Sequence, residues 1–194
     1  MRTHIAKPGA ALTIDDAGFV AGVRTIHSPN QDDRPEGATI DLLVVHNISL
    51  PPGEFGGAGV ESLFTNALNP ADHPYYQTIQ NFKVSSHFFI RRDGEMIQFV
   101  SCLKRAWHAG MSSWRGRERC NDFSIGIELE GTDDLPFTEV QYAALEKLIP
   151  SVVTVYPIQA IVGHCDISPG RKTDPGRCFD WRRCQSFSPY ISLR

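Results

Sequence analysis

This 194-residue sequence has little of what marks several classes of protein. Charged residues make up only 21% of it and the formal net charge is -3, so phosphate-backbone binding is not expected and nucleic acid is not an expected partner. Asp15 and Asp16 interrupt the only candidate for a signal peptide, and no apolar run approaches a membrane span. We therefore expect a cytoplasmic protein that has no membrane partner and no obligate protein partner.

Cysteine is also scarce and lacks the spacing of a structural framework. The five cysteines are an odd number and include no CxxC pair. This usage fits reduced thiols in the cytosol better than a set of disulfides. The cysteines are Cys102, Cys120, Cys165, Cys178 and Cys184.

The length of the chain allows a full hydrophobic core without disulfides. No internal repeat, low-complexity tract or linker divides it, so we expect one domain over residues 1–194. Residues 1–35 have the composition of an irregular N-terminal arm packed on that domain. Strand-like runs interleaved with helical ones predict an α/β (α+β) fold, in which helices flank a central mixed β-sheet.

Short apolar runs predict the strands. Residues 40–47 are rich in branched side chains and too short for a typical helix, which favours a buried strand. Residues 86–91 and 96–100 surround Asp93-Gly94, a dipeptide suited to a tight turn, and predict a hairpin.

Helical patterns follow in two places. Residues 60–68 predict a short helix. Thr138 with Gln141 forms a capping-box pattern, after which apolar residues recur at helical spacing. Pro150 lies inside that pattern and lacks a backbone donor, so we expect a kink or an early end of the helix there.

Residues 163–176 form the most informative segment. This loop-like stretch follows an apolar run and carries His164, Lys172 and Asp174 between prolines and glycines. His46 ends another strand-like run, so two strand ends would each direct a histidine to one place. Two imidazoles and one carboxylate are good zinc ligands, and three protein ligands leave a fourth position open, as in catalytic zinc sites.

Two cysteines near this loop are rival ligands. Cys165 and Cys178 both lie close enough in sequence to compete for the metal. The direction of its side chain argues against Cys165. Next to His164 on an extended chain, this side chain would point to the opposite face.

A carboxylate and an ammonium group would complete such a site for hydrolysis. Residues 123–129 alternate, so that Phe123, Ile125, Ile127 and Leu129 share an apolar face and Glu128 points to the other. Glu128 is therefore the best-placed proton carrier, and Lys172 could stabilise charge on a carbonyl oxygen.

Four segments carry a resemblance to a known family. In matching order, they resemble the zinc amidase and peptidoglycan-recognition superfamily, and within it the cytoplasmic amidases of bacterial cell-wall recycling. The similarity runs from about Arg24 to Trp181. The segments are residues 43–57, 105–110, 117–132 and 163–176.

The resemblance implies a fold, an activity and a set of roles. The fold would be that of the amidases and peptidoglycan-recognition proteins. The activity would be zinc-dependent cleavage of the amide between the lactyl group of 1,6-anhydro-N-acetylmuramic acid and L-alanine in soluble muropeptides, during peptidoglycan recycling. His46, His164 and Asp174 would bind Zn²⁺, Glu128 would be the general acid and base, and Lys172 would stabilise the oxyanion.

The resemblance also implies contacts with substrate. Asn47, Trp107, His108 and Arg119 would help to bind the sugar and the peptide. An aromatic face suits stacking, and a guanidinium suits a peptide carboxylate. Lys83 stands where an arginine is common in these amidases, so a bidentate contact would be lost if that position touches substrate.

Two other functions remain open at this point. Some proteins of this fold bind muropeptides without cleaving them, but they typically lack the third metal ligand. Asp174 together with Glu128 and Lys172 argues against that function, because binding alone needs no proton carrier. An amidase acting on polymeric wall would require export or release, which the expected absence of a signal peptide disfavours.

Overall fold

A seven-stranded mixed β-sheet organises the chain. The structure, a computed structural model, describes residues 12–186 and 192–193. The strands are β1 Arg24–Thr25, β2 Gln31–Asp32, β3 Leu42–Ile48, β4 Phe88–Ile90, β5 Met96–Gln98, β6 Arg105–Ala106, β7 Ser113–Trp114, β8 Arg117–Glu118, β9 Ser124–Glu130, β10 Ala160–Gly163 and β11 Ser192–Leu193. The helices are α1 Gly59–Phe64, α2 Pro74–Ile79, α3 Glu139–Val155 and α4 His164–Ile167, with 3-10 turns at Cys120–Asp122 and Trp181–Ser186.

The main sheet has the strand order β1-β5-β4-β9-β3-β10-β11. Among the described strands of this sheet, only β4 and β5 pair antiparallel, and they form the hairpin predicted around Asp93-Gly94, which is confirmed. The other neighbours pair parallel, which buries both faces of the central strands. The predicted mixed sheet is therefore confirmed, and the boundaries of the domain and of its N-terminal arm stay a prediction.

Helix α3 covers one face of the sheet, and α1, α2 and α4 lie on the other. Ile125, Ile127 and Leu129 of β9 pack with the α3 core, as the alternation predicts. Phe123 does not share that face, because it precedes the strand and packs in a separate cluster with Leu42. The side opposite α3 is where β3 and β9 present their polar side chains.

Helix α3 contains Pro150, where a kink or an early end was expected. Thr138 caps α3 through the predicted capping box with Gln141. The helix nevertheless continues through Pro150 to Val155, so the expected early end is wrong. Buried apolar residues on both sides of the proline hold the helix against the sheet, which outweighs one missing backbone hydrogen bond.

Other helices differ in extent or were not predicted. The helix expected over residues 60–68 is confirmed but ends at Phe64. Helix α2 was not predicted; His73 caps it by accepting a hydrogen bond from the backbone N–H of Tyr75. None of the helices within residues 12–186 and 192–193 is long and apolar enough to cross a membrane.

The N-terminal arm contributes to the sheet edge and to the interior. Its first eleven residues lie outside the described part of the chain. Strand β1 pairs with β5, and β2 pairs with β6. The Arg34 guanidinium lies inside the protein and donates to the backbone carbonyls of Cys102, Asn121, Asp122 and Ser124. Burial lowers the pKa of Arg34 to about 10, so it remains charged at neutral pH.

His87 lies beside Arg34 and is fully buried. Its Nδ1 accepts from the backbone N–H of Gly126 at 3.0 Å, and its Nε2 lies 3.1 Å from the Lys104 carbonyl, to which it donates. Burial, reinforced by the charge of Arg34, lowers the pKa of His87 to about 3. The folded protein therefore holds this imidazole neutral.

We expect His87 to make the protein less stable as the pH falls from about 6.5 towards about 3. In that interval the unfolded chain binds a proton that the folded protein does not, and the free energy of unfolding falls by about 1.4 kcal/mol per pH unit from this group. Urea unfolding at pH 7 and pH 5 measures the slope. His87→Gln and His87→Asn should both flatten it, and slopes equal to that of the wild type would contradict the assignment.

Candidate metal and catalytic site

Two adjacent strands bring the predicted histidines together. His46 lies within β3, two residues before its end, and His164 is the first residue of α4, directly after β10. Because Val45 pairs with Gly163 in the parallel β3–β10 ladder, the residues that follow them emerge side by side. Asp174 reaches the same point from the loop that follows α4.

Three ligand atoms converge at this point. The Nδ1 atoms of His46 and His164 are 3.0 Å apart, and the Oδ2 atom of Asp174 lies 3.0 Å from the first and 3.1 Å from the second. A tetrahedral zinc ion with bonds of 2.0–2.1 Å would place its ligand atoms about 3.3 Å apart. Both the donor set and its spacing therefore fit a metal ion.

The charge states of these groups suit metal binding. Burial lowers the pKa of His46 to about 4, against the opposing effect of Asp174. Burial would raise the pKa of Asp174, but the close contacts of its carboxylate with the His164 and His46 rings outweigh it and hold that pKa well below its usual range. A neutral imidazole and an ionised carboxylate are the forms that bind zinc.

The far side of each histidine ring is also occupied. His46 Nε2 lies 2.9 Å from His108 Nδ1, and His164 Nε2 lies 3.0 Å from the Ala109 carbonyl oxygen. The carbonyl can only accept, so the proton of His164 is assigned to Nε2 and the lone pair to Nδ1. We likewise assign the proton of His46 to Nε2, which then donates to His108 Nδ1. The proton of the His108 ring is therefore on Nε2, which donates to Ser124 Oγ at 3.1 Å.

Glu128 stands beside this cluster because of strand register. It is paired with His46 across the parallel β3–β9 ladder, so both side chains project from the same face of the sheet. Burial, together with the charge of Asp174, raises the pKa of Glu128 well above its usual value, and Lys172 opposes this rise. Within the described part of the chain, its buried Oε2 atom has no hydrogen-bond partner. A buried carboxyl group with a raised pKa in a pocket is a candidate for proton transfer.

A pocket of about 300 Å³ opens over the cluster. Its polar floor holds Glu128, Lys172 and the three candidate metal ligands His46, His164 and Asp174, called the metal triad below. Helices α1 and α2 and the residues after α2 form an apolar wall. That wall includes Tyr75 and Phe82, which are 40% and 57% exposed. The lining consists of His46, Asn47, Ile48, Ser49, Leu50, Leu63, Phe64, Tyr75, Ile79, Phe82, Val84, Ser85, Trp107, His108, Glu128, His164, Lys172 and Asp174.

The residues predicted to bind substrate are only partly brought together. Asn47, Trp107 and His108 line the pocket, and Arg119 does not. The Arg119 side chain is 68% exposed, pairs with Asp122 at 3.0 Å, and lines a separate pocket. Asn47 Nδ2 donates to Asp133 Oδ1 at 2.6 Å, so the side-chain carbonyl of Asn47 points away from Asp133. Their contacts with substrate stay a prediction.

The rival thiols lie outside the ligand cluster, although the argument against Cys165 was wrong. Residues 164–167 form α4 rather than an extended chain, so the side chain of Cys165 is displaced by a helical step from His164. Neither Cys165 nor Cys178 belongs to the group of convergent ligand atoms. Lys83 is exposed and lies between two pocket residues without lining the pocket itself.

Sequence reasoning missed the apolar wall and the support behind the histidines. The wall depends on α2, whose sequence has no long periodic pattern that would predict a helix. The support depends on Asn121, whose Oδ1 accepts from the backbone N–H groups of His108 and Ala109. No local signal in the sequence shows that an asparagine side chain accepts hydrogen bonds from a segment thirteen residues away.

Comparison with known proteins gives consistent similarities. The model of the N-acetylmuramoyl-L-alanine amidase family matches residues 36–177. The 1,6-anhydro-N-acetylmuramyl-L-alanine amidase AmpD of Citrobacter freundii is 56% identical over 170 residues, which cover 87% of this chain and 91% of that protein. A crystal structure of a Se-Met AmpD derivative is similar with a TM-score of 0.85 at 52% identity, covering 91% of this chain and 98% of that one.

A more distant structure contains a ligand. The N-acetylmuramyl-L-alanine amidase AmiD from E. coli, solved in complex with the substrate anhydro-N-acetylmuramic acid-L-Ala-D-gamma-Glu-L-Lys, is similar with a TM-score of 0.56. It is 27% identical, and the match covers 94% of this chain and 67% of that one. The likeness therefore extends to a protein that binds an anhydro-muropeptide.

We expect Gly126→Ala to disturb the site from beneath. A Cβ atom at Gly126 would lie 2.6 Å from His108 Cγ and 2.8 Å from Ser86 Oγ, so the His108 ring must move. Overpacking of this kind costs about 1–3 kcal/mol of stability. Thermal unfolding measures the loss, and Gly57→Ala, whose Cβ would meet nothing within 4 Å, is the matched control. Equal melting temperatures for the two variants would contradict the expectation.

Proposed function

This chain belongs to the N-acetylmuramoyl-L-alanine amidase family, and from that membership we propose its substrate, its metal and its working residues. The proposed reaction is hydrolysis of the amide that joins the lactyl group of 1,6-anhydro-N-acetylmuramic acid to L-alanine in soluble muropeptides. The observation that carries it is the convergence of His46, His164 and Asp174 beside the buried Glu128. Similarity to AmpD over most of the chain supports the anhydro sugar as substrate.

Zinc is the proposed metal. His46 and His164 would each offer Nδ1, and Asp174 would offer Oδ2. When bound there, zinc supplies a Lewis acid that polarises a carbonyl group and acidifies water. Three protein ligands leave one position open, as hydrolysis requires.

Glu128 is the proposed proton carrier. It would accept the proton of the attacking water and deliver it to the nitrogen of L-alanine as the amide bond breaks. The raised pKa of Glu128 supports this role, because a carboxylate with an ordinary pKa would hold a proton too weakly to pass it on. Its unpartnered Oε2 atom leaves one oxygen free for that transfer.

The remaining residues bind and orient the substrate. The Lys172 ammonium is a compact cation at the pocket wall and would stabilise negative charge on the carbonyl oxygen. Trp107 would offer an aromatic face to the sugar, and the Asn47 carbonyl would accept a hydrogen bond from a substrate N–H. His108 lines the pocket beneath them, and Arg119, which lines a separate pocket, would serve a carboxylate of the peptide.

A place in peptidoglycan recycling follows from this substrate. A soluble anhydro-muropeptide is a fragment already released from the wall, so an enzyme that uses it works on recovered material. We propose the cytoplasm as its compartment for the same reason. A module that only binds muropeptides is disfavoured, because such a module gains nothing from a buried carboxyl with a raised pKa beside a metal triad.

Metal content and turnover should separate in variants. We expect His46→Ala and Asp174→Ala to lose zinc, because each removes one of three ligands. Glu128→Gln should keep zinc and lose turnover by about 10²–10⁴-fold, because it removes the proton carrier without touching a ligand. Metal analysis and mass spectrometry of an anhydro-muropeptide digest give both quantities.

The control for metal content is Cys178→Ser, which removes a thiol near the loop and should bind zinc normally. Near-normal turnover by Glu128→Gln would refute the assignment of the proton carrier. Loss of zinc in Cys178→Ser with retention in Asp174→Ala would refute the ligand set.

Substrate preference is tested by offering two forms of the wall. We expect the protein to release peptide from soluble anhydro-muropeptides and to leave intact sacculi uncut, because its similarity to AmpD over most of the chain supports an anhydro sugar as substrate. Chromatography of the released peptides measures both. Faster release from sacculi would point instead to an amidase of polymeric wall.

A further inference from the structure

One short segment contacts the rear of both histidine ligands. The segment Trp107-His108-Ala109 follows β6 and runs beneath the metal triad. Its His108 ring meets His46 Nε2 at 2.9 Å, and its Ala109 carbonyl meets His164 Nε2 at 3.0 Å. The orientation of both metal-binding rings thus depends on the position of these three residues.

Asn121 holds this segment in place. Its single Oδ1 atom accepts from the backbone N–H of His108 at 3.1 Å and from that of Ala109 at 2.8 Å. Asn121 itself lies in the 3-10 turn Cys120–Asp122, whose backbone is fixed in turn by Arg34, which donates to the Asn121 carbonyl at 3.0 Å. The side chain of Asn121 contacts neither of the histidine ligands and does not line the pocket over the metal triad.

The surroundings leave the segment little room to shift. Gly126 on β9 lacks a side chain where the His108 ring lies, so the strand is shaped around that ring. On the other side, Arg171 Nη2 donates to the Ala109 carbonyl at 2.9 Å, and this carbonyl oxygen therefore uses both of its lone pairs. The contacts are built for one position of the segment.

We propose that Asn121 is a positioning residue of the metal site, which acts through His108 and Ala109 to set the protonated nitrogen and the ring orientation of both histidine ligands. The proposal deepens the proposed function, since it rests on His46 and His164 as zinc ligands. It also assigns His108 a role through His46, distinct from contact with substrate.

The physical reason is the tautomer of the imidazole. A neutral histidine offers one lone pair, so Nδ1 binds a metal only while Nε2 carries the proton. An acceptor held behind Nε2 favours that tautomer and stops the ring from turning. Loss of such outer partners typically weakens metal binding by about 10–100-fold. Asn121 would control two such acceptors at once.

Two variants of equal size test the proposal. Asn121→Leu removes the acceptor oxygen, and Asn121→Asp keeps it. Zinc affinity is measured on the full chain by competition with a chelator, and long-range ¹H–¹⁵N spectra report which nitrogen of each histidine is protonated. We expect Asn121→Leu to weaken zinc binding by at least about 10-fold with mixed tautomers, and Asn121→Asp to stay within about threefold of the wild type.

A second pair covers the case in which Asn121→Leu does not fold. His108→Asn retains an acceptor near the position of Nδ1, and His108→Leu has the same size without one. We expect the leucine variant to bind zinc at least about 10-fold more weakly than the asparagine variant. Wild-type affinity in the leucine variants, or equal losses within either pair, would overturn the proposal.

His46→Ala distinguishes this inference from the proposed function. If that variant loses zinc while Asn121→Leu and His108→Leu bind it as the wild type does, the metal site stands and Asn121 is not its positioning residue. If His46→Ala itself retains zinc, the ligand set is refuted, and the proposal for Asn121 is refuted with it.

Discussion

The parallel pairing of β3 between β9 and β10 is the constraint on which the site depends. One ladder sets His46 opposite Glu128, and the other sets Val45 opposite Gly163, immediately before His164. A shift of one residue in either ladder would turn the affected side chains to the face covered by α3. The geometry of the proposed metal ligands and of the proposed proton carrier is therefore a property of sheet register, which the buried strands fix by their packing.

Burial then shifts the pKa values of the imidazole and carboxyl groups at the site. It disfavours charge in general, so it lowers the pKa of His46 to about 4 and raises that of Glu128 well above its usual value. Asp174 departs from this trend because two imidazoles lie about 3 Å from its carboxylate. One buried site thus holds a neutral imidazole, a carboxyl group with a raised pKa and an ionised carboxylate.

A layer of buried polar side chains supports the site from within the protein. Arg34 bonds to four backbone carbonyls, His87 accepts from Gly126, and His108 spans from His46 to Ser124. Such groups stabilise a structure only when their partners are in place, and they are costly when a partner is lost. The layer therefore specifies one arrangement of the segments beneath the metal triad more strictly than an apolar core would.

Local sequence determined those features that depend on neighbours along the chain. Three such features each depend on a few consecutive residues, and the structure has all three. They are the hairpin at Asp93-Gly94, the capping box at Thr138 and the alternation along β9. The five residues proposed for zinc binding and catalysis were likewise identified from their types and from a family resemblance. The chemistry of a side chain follows from its residue type, so these candidates can be identified without coordinates.

Only the tertiary structure decided how distant segments act on one another. Helix α3 passes through Pro150 because packing against the sheet compensates a lost hydrogen bond, and α4 begins at His164 where a loop was expected. Arg119 lines a separate pocket, and Asn121 accepts hydrogen bonds from the segment behind both histidines. Packing energies and long-range hydrogen bonds depend on which surfaces meet, and no window of the sequence contains both partners.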